Sequence, residues 1–214
     1  GLTVFSDCAD STTSGSPGDA TYVLNKLLHA ELSRPAYVLV VDSAAAAEAC
    51  RLGAGARLDT LLGGKMDRVY NQPLSIGGII EKTGDYDFVM RGSSFSGIKV
   101  SMGPTAIVRI GQIFILITSQ RVLTGDPELY RCVGRDPERA GIIVVKSPIM
   151  YRVNYAPIAS KMLTLDSPGA SPSDFTRLTY SKLQGPCYPW TRAMELGELN
   201  VHAARKEPVT NAIG

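Results

Sequence analysis

The sequence predicts an α/β fold, in which parallel-type α/β layers carry a mainly antiparallel β insert at about residues 57–123. Two observations lead to this class. Toward both ends of the chain, aliphatic runs alternate with helix-like segments through short connections, a rhythm typical of parallel sheets. Between them lie strand-like segments separated by Gly, Asn and Pro turns without intervening helices, which indicates antiparallel pairing.

The first part of the chain contains two strand–helix units. "GLTVFSD" predicts a short buried strand, and the next helix is expected to run from about Asp19, as its N-cap, to Leu32. "AYVLVVD", residues 36–42, is a continuous apolar run, which is typical of a strand buried on both faces. A second helix, capped by Ser43, should end at the glycines of "LGAG".

The insert ends in a predicted hairpin, after which the α/β rhythm returns. "VRIGQIFIL" places Gly111 and Gln112 at the hairpin tip. A short helix follows at 126–134, and a buried strand at 141–147. The helix after that strand should be kinked or ended by Pro157, and "KMLTLDSPG" predicts a last strand.

Composition and periodicity set the domain organisation and the classes of partner. We predict one α/β domain over residues 1–190 and a polar tail over 191–214. A net charge of +2 without a basic block gives no indication of a nucleic-acid or membrane partner. No apolar run approaches the roughly 20 residues that span a bilayer. Four dispersed cysteines without CxxC spacing favour reduced thiols and a cytoplasmic protein.

The histidine content argues against a catalytic metal held by this chain alone. Zinc catalytic sites usually use three protein ligands, mostly histidines. The sequence has only His29 and His202, and neither lies in an HxH or HExxH motif. We therefore expect both to be solvated or packing residues and no metal site within this chain.

Four predicted strands end in a similar way, in "TVFSD", "LVVDS", "IVVKS" and "LTLDS". Ligands of parallel α/β sheets bind outside the carboxyl ends of the strands. The polar residues of these motifs should then line one edge: Asp7, Asp42, Lys146 and Asp166, with Ser6, Ser43, Ser147 and Ser167. The competing interpretation is that they cap helices, and we favour it for the motifs of Asp42 and Asp166. For Asp7 and Lys146 both interpretations stay open.

The segment "SDCADSTTSGSPGD", residues 6–19, is a candidate binding loop. Gly15 and Gly18 permit positive φ angles and a close approach of the backbone to a ligand. The loop hydroxyls and the N-terminus of the next helix could bind an anionic group. A capped Ser/Gly connection explains the same residues equally well.

Two basic residues follow predicted strands or turns. Lys65 comes after two glycines in "LLGGKMD", where it could bind a carboxylate or phosphate or simply be solvated. Arg121 closes "IFILITSQR", where it could bind a carboxylate in a bidentate manner or face water.

Five segments, "DSTTSGSPGDATYVLNKLL", "LLGGK", "ITSQRV", "GRDPERAGIIVVKS" and "YAPIASKMLTLDSPG", occur in an order that resembles the C-terminal domain of the microcystinase C (MlrC) family of metallopeptidases. The resemblance runs from about residue 5 to Trp190. It implies a larger protein that hydrolyses peptide-like amide bonds. Its N-terminal domain, in cis or as a separate subunit, would hold zinc on Asp and His ligands together with the catalytic acid.

On this resemblance the chain is a substrate-binding or lid domain, inactive by itself. Substrate positioning, not bond cleavage, is implied for loop, turn and strand-end residues: Asp10, Thr13, Ser14, Gly15, Gly18, Lys65, Lys146 and Ser147. Many members have a DNPGGG-like segment where this chain has "DSTTSG", so Thr13 and Ser14 replace two glycines and the substrate class stays open. A stand-alone anion- or small-molecule-binding module and a structural oligomerisation domain are the alternatives.

Overall fold

One mixed β-sheet forms the framework of the molecule, in a computed structural model that describes residues 1–182, 185, 187 and 188. Its eight strands are β1 Leu2–Ser6, β2 Ala36–Val41, β3 Arg57–Leu62, β4 Leu74–Val89, β5 Lys99–Ile110, β6 Ile113–Thr118, β7 Ile142–Val145 and β8 Ala159–Thr164. They lie in the order β3-β4-β5-β6-β2-β7-β1-β8. The strands from β6 to β8 in this order are parallel neighbours, whereas β3, β4, β5 and β6 pair antiparallel. The predicted α/β class with an antiparallel insert is confirmed.

The insert is joined to the parallel part through β6, which pairs with β5 on one side and with β2 on the other. The β5–β6 hairpin has the predicted tip, because Ile110 pairs with Ile113 and Gly111 adopts a φ of 57°. A positive φ of this kind favours glycine. The hairpin therefore couples the two kinds of sheet into one.

Four helices connect the strands: α1 Tyr22–Leu28, α2 Ser43–Leu52, α3 Glu128–Arg131 and α4 Tyr151–Tyr155. The prediction that Asp19 caps α1 is wrong, because its carboxylate accepts hydrogen bonds from the backbone N–H groups of Lys65 and Met66 instead. The cap of α2 is Asp42 and not Ser43, since Asp42 Oδ1 accepts from Ala45 N at 3.0 Å.

The sheet has an apolar core on each face. Helices α1 and α2 cover one face, with Leu24 and Ala46 among the residues packed against it. Helices α3 and α4 cover the other, with Tyr130 and Tyr151 in that core. All six residues of β2 are buried, and they alternate between the two cores, which confirms the expected strand buried on both faces.

The β4–β5 ribbon extends beyond the carboxyl edge of the parallel strands. Thr105 of β5 pairs with Thr118, the last residue of β6, so residues 99–104 continue past that edge. Six strand residues span about 20 Å. Phe88 and Met102 of this ribbon pack in the core beneath α3 and α4. The ribbon thus forms a wall beside the carboxyl edge.

The chain divides into two compact units, residues 1–173 and 174–214, and the sheet belongs to the first. The described part of the second contains one 3-10 turn, Phe175–Arg177, capped by Asp174. The predicted tail at 191–214 lies outside the described residues, and the domain over 1–190 stays a prediction. Among the described residues every helix is too short or too polar to cross a membrane.

Packing of α1 on the sheet can be tested with a pair of leucines. Leu24 is fully buried, whereas Leu61 of β3 is 57% exposed. We expect Leu24→Ala to lower the free energy of unfolding by about 2–5 kcal/mol, because it removes buried methyl groups and leaves a cavity. The control Leu61→Ala should change it by about 0.5 kcal/mol or less. Urea unfolding measures both, and similar losses for the two variants would contradict this placement of α1.

Candidate functional site

The carboxyl edge of the parallel strands gathers the polar strand-end residues. Asp7 follows β1, Asp42 follows β2 and Lys146 follows β7, three strands that are neighbours in the sheet. Arg121 lies three residues beyond the end of β6, the next strand on the far side of β2. As expected, this edge is where the charged side chains of the parallel strands meet.

Lys146 lies at the centre of a buried ionic cluster. Its Nζ is 2.7 Å from Asp10 Oδ2 and 3.5 Å from Asp7 Oδ2, and it donates to Ala20 O at 3.2 Å. All three charged side chains are only 1% exposed. The second carboxylate, Asp7, also accepts a short hydrogen bond from the Ser167 hydroxyl. The ammonium group is therefore fully engaged within the protein.

The charge of Lys146 is held by its two carboxylate neighbours. Burial by itself would lower the pKa of this lysine, but Asp10 and Asp7 outweigh burial and raise its pKa above the ordinary value. Lys146 is consequently an ammonium ion at neutral pH.

Asp10 folds the candidate loop back onto the sheet. Its Oδ1 accepts from Gly18 N at 2.8 Å and its Oδ2 from Ala20 N at 2.7 Å. Gly18 has a φ of 81°, and a Cβ there would lie 2.7 Å from Thr12 Cγ2 and 2.8 Å from Val41 Cγ2. Glycine is required at this position, since a side chain would meet both strain and a clash. Asp10 and Gly18 thus form the base of the loop.

The apex of the same loop is exposed. Thr12–Ser14 forms a 3-10 turn, Thr13 and Ser14 face solvent, and Gly15 ends the turn at a φ of 92°. The Thr13 hydroxyl is 2.9 Å from the Ser11 hydroxyl. Of the predicted site residues, Thr13, Ser14 and Gly15 are available to a molecule that approaches from outside.

Ser147 differs from these because it is buried. Its carbonyl accepts from the Ser6 hydroxyl at 2.7 Å, which ties the ends of β1 and β7 together. Its own hydroxyl has no hydrogen-bond partner among the described residues.

A second cluster fixes the turn that carries Lys65. Asp19 Oδ2 accepts from Lys65 N and Met66 N, both at 2.8 Å. Asp42 Oδ2 accepts from Gly63 N at 2.9 Å and lies 2.7 Å from Lys65 Nζ. Lys65 keeps 36% of its side chain exposed. This lysine is held firmly at its base and remains accessible at the surface.

The two glycines before Lys65 are needed for this turn. Gly63 and Gly64 have φ angles of 57° and 56°. A Cβ on Gly63 would lie 2.3 Å from Asp19 O, and one on Gly64 would lie 2.4 Å from the carbonyl carbon of Gln72. The two glycines therefore let this turn pack against the backbone of Asp19 and Gln72, where a residue with a Cβ would clash.

Three consecutive residues connect the two clusters. Asp10 binds the N–H groups of Gly18 and Ala20, and Lys146 binds the carbonyl of Ala20. Asp19, between them, binds the turn of Lys65. The buried Lys146 and the turn of the accessible Lys65 are thus both hydrogen-bonded to residues 18–20.

A cavity of about 450 Å³ opens beside Lys65. It is lined by the ends of β2 and β6 and by the first residues of α2, with Asp19, Asp42, Ser43, Lys65 and Arg121 among its polar walls. The volume lies in the range of small-ligand sites, about 300–1,000 Å³. Sequence reasoning missed Asp19 as a wall, because it assigned that residue to a helix cap. For the motif of Asp42 the sequence favoured helix capping, and Asp42 does cap α2, but it lines the cavity as well.

The described residues do not fit a catalytic metal. No group of three or more His, Cys, Asp or Glu side chains is arranged there to hold an ion. His29 is exposed and directly follows α1, with its Nδ1 2.7 Å from Asn25 O, and His202 lies outside the described residues.

The buried ion pair can be tested by removing the lysine charge. Lys146→Met leaves Asp7 and Asp10 buried with no cation, so the free energy of unfolding should fall by about 3–5 kcal/mol. The control is Lys161→Met on the exposed face of β8, which should fall within about 0.5 kcal/mol of the parent protein. Urea unfolding of the three proteins decides the matter, and an unaffected Lys146→Met variant would refute the role of this cluster.

The same pair predicts a pH dependence. Because the folded-state pKa of Lys146 is raised above 10.5, its stabilisation is fully present below pH 10.5 and is lost as the pH rises through the folded-state pKa. The difference in unfolding free energy between the parent protein and Lys146→Met should thus stay constant from neutral pH up to about pH 10.5 and shrink above it. A difference that shrinks on acidification toward neutrality would contradict the assignment.

Known proteins are similar to this chain in fold and, more weakly, in sequence. The family described as MlrC C-terminus matches residues 5–182. Microcystinase C from Sphingomonas sp. is 21% identical over 187 residues, which cover 87% of this chain and 35% of that protein. A crystal structure described as a metallopeptidase from Mesorhizobium sp. BNC1 has the same fold, with a TM-score of 0.82 and 21% identity over 91% of this chain and 39% of that one. The chain therefore spans between a third and two fifths of the length of these relatives. Since the family match covers most of the sequence, this chain belongs to the MlrC C-terminus family.

Proposed function

We propose that this chain is the substrate-binding and lid domain of a larger zinc-dependent peptidase or amidohydrolase. Two similar proteins are described as a microcystinase and a metallopeptidase, and each is more than twice as long as this chain. In this proposal the zinc and the catalytic acid belong to a preceding N-terminal domain, in cis or as a separate subunit. The substrate is a peptide or another amide, and the enzyme works in the cytoplasm. We also propose a homo-oligomer as one arrangement of this enzyme.

The observation that carries the proposal is the cavity beside Lys65. It is open and has charged side chains in its wall, and it lies at the carboxyl edge where α/β sheets bind ligands. One of its walls is a lysine that two carboxylates hold in place. The described residues around it offer charges for binding but no group of metal ligands. A domain of this kind supplies orientation to a reaction whose metal is held elsewhere.

The predicted site residues take two different roles in the proposal. Lys65 contacts the substrate, and the exposed loop apex of Thr13, Ser14 and Gly15 closes over it. Four buried residues position the substrate indirectly: Lys146, Asp10, Gly18 and Ser147. They hold the loop and the strand ends against which the turn of Lys65 packs. All eight residues therefore serve positioning, and none breaks a bond.

A stand-alone anion-binding module is the second candidate, because the cavity is formed entirely by this chain. Such a module needs no partner domain and no metal. The two candidates differ in what the longer protein does: the first predicts that Lys65 matters for hydrolysis, and the second predicts that it matters only for ligand affinity.

The decisive experiment uses the longer, metal-loaded protein with Lys65→Met and, as the control, Lys161→Met. We expect Lys65→Met to lower kcat/KM at least about tenfold, the effect of losing one hydrogen bond from a charged group, with the metal content unchanged. Lys161→Met should retain the parent kcat/KM. Steady-state kinetics on a linear peptide and metal analysis by mass spectrometry provide the readouts. An unchanged kcat/KM for Lys65→Met would contradict the proposed function.

A further inference from the structure

The cavity beside Lys65 contains four charged side chains, of which two neutralise each other. Lys65 and Asp42 form an ion pair at 2.7 Å. The Asp42 carboxylate also accepts from Gly63 N and Ala45 N, so both of its oxygens are engaged. Besides the remaining N–H groups of Lys65, the cavity wall therefore has two residues whose hydrogen-bonding capacity is unfilled among the described residues, Arg121 and Asp19.

Arg121 supplies an unpaired cation at the cavity wall. Its side chain is exposed, and its guanidinium forms no ion pair or hydrogen bond within the described part of the chain. A guanidinium presents parallel N–H donors that match the two oxygens of a carboxylate. The first turn of α2, a helix of ten residues, lines the same cavity through Ser43 and Ala44 and also favours negative charge.

Asp19 supplies an unpaired acceptor at the same cavity. The residue is only 1% exposed, and its Oδ1 has no hydrogen-bond partner among the described residues, although Oδ2 has two. A buried acceptor without a donor costs free energy, because it has lost its hydrogen bonds to water. A ligand that brings an N–H or ammonium group to this wall would remove that cost.

We infer that the cavity recognises a substrate end that carries a carboxylate next to an N–H group, as the C-terminal residue of a peptide does. Arg121 binds the carboxylate, and Asp19 accepts from the N–H. The inference rests on the proposed function, and it names the part of the substrate that this chain binds and the residue that selects it.

Charge balance separates this ligand from the other candidates. Asp42 and Lys65 cancel, and Arg121 and Asp19 add one positive and one negative charge. A phosphate dianion would place its second charge in a cavity that already contains two carboxylates. A simple carboxylate such as acetate would leave the Asp19 oxygen without a donor. Only a ligand with both groups satisfies both open residues.

The test titrates the 214-residue chain with three small probes. N-acetyl-L-alanine has both groups, N-acetyl-L-alanine amide lacks the carboxylate, and acetate lacks the N–H. Binding is followed by the amide NMR signals of Lys65 and Met66, whose N–H groups are bound to Asp19. We expect N-acetyl-L-alanine to bind at least about tenfold more tightly than either of the others.

Two matched variants assign the selectivity. Arg121→Gln should reduce the affinity for N-acetyl-L-alanine to that of its amide. Arg51→Gln, at the other end of α2, should leave all three affinities unchanged. The inference is overturned by equal binding of the acid and its amide, by equal binding of acetate, by no binding of N-acetyl-L-alanine at tens of millimolar, or by an Arg121→Gln variant that behaves as the parent protein.

This result is separable from the test of the proposed function. Carboxylate-selective binding together with a normal kcat/KM for Lys65→Met would retain the inference and reject the hydrolase role. The loss of turnover in Lys65→Met without carboxylate-selective binding would do the reverse. Each of the two hypotheses can therefore be rejected while the other is retained.

Discussion

The buried ion pair between Lys146 and Asp10 is the contact on which the carboxyl edge depends. An ammonium group withdrawn from water is tolerated only where carboxylates and carbonyls surround it closely, as Asp10, Asp7 and Ala20 do here. These three groups belong to the connection between β1 and α1, whereas Lys146 follows β7. Neutralising Lys146 therefore requires the end of β7 to meet three points of that connection, and this fixes the loop in a single arrangement.

The position of the accessible Lys65 depends in turn on this ion pair. The segment held by Asp10 and Lys146 includes Asp19, and Asp19 binds the turn that begins at Gly64. Lys65 then extends from that turn to Asp42 at the end of β2. The two lysines differ mainly in exposure, and the difference separates their roles. A fully buried lysine can only hold a framework, whereas a partly exposed one can also exchange its partner for a ligand.

The sheet was more predictable than the site, for a physical reason. The strands appear in local sequence as aliphatic runs, and the hairpin at Gly111 appears as a Gly turn between them. The rule that parallel strands bind ligands at their carboxyl ends also placed Lys146 and Asp42 at one edge. The role of Asp19 was not predictable, because its partners, Lys65 and Met66, lie far away in the chain and a tertiary contact replaced the local cap. The burial of Lys146 likewise depends on a loop that folds over it, which no local pattern encodes.

The departure from the family loop that the sequence resemblance implies would affect the apex and not the base. Thr13 and Ser14 lie in the exposed 3-10 turn, whereas the contacts that hold the loop are made by Asp10, Gly18 and Ala20. Replacing glycines at the apex therefore leaves the position of Asp19 and Lys65 intact, because neither depends on the apex. It makes this exposed turn stiffer and adds hydroxyl groups to it. In the proposed function, such replacements change which substrate body the domain accepts, while the charged side chains around the cavity stay in place.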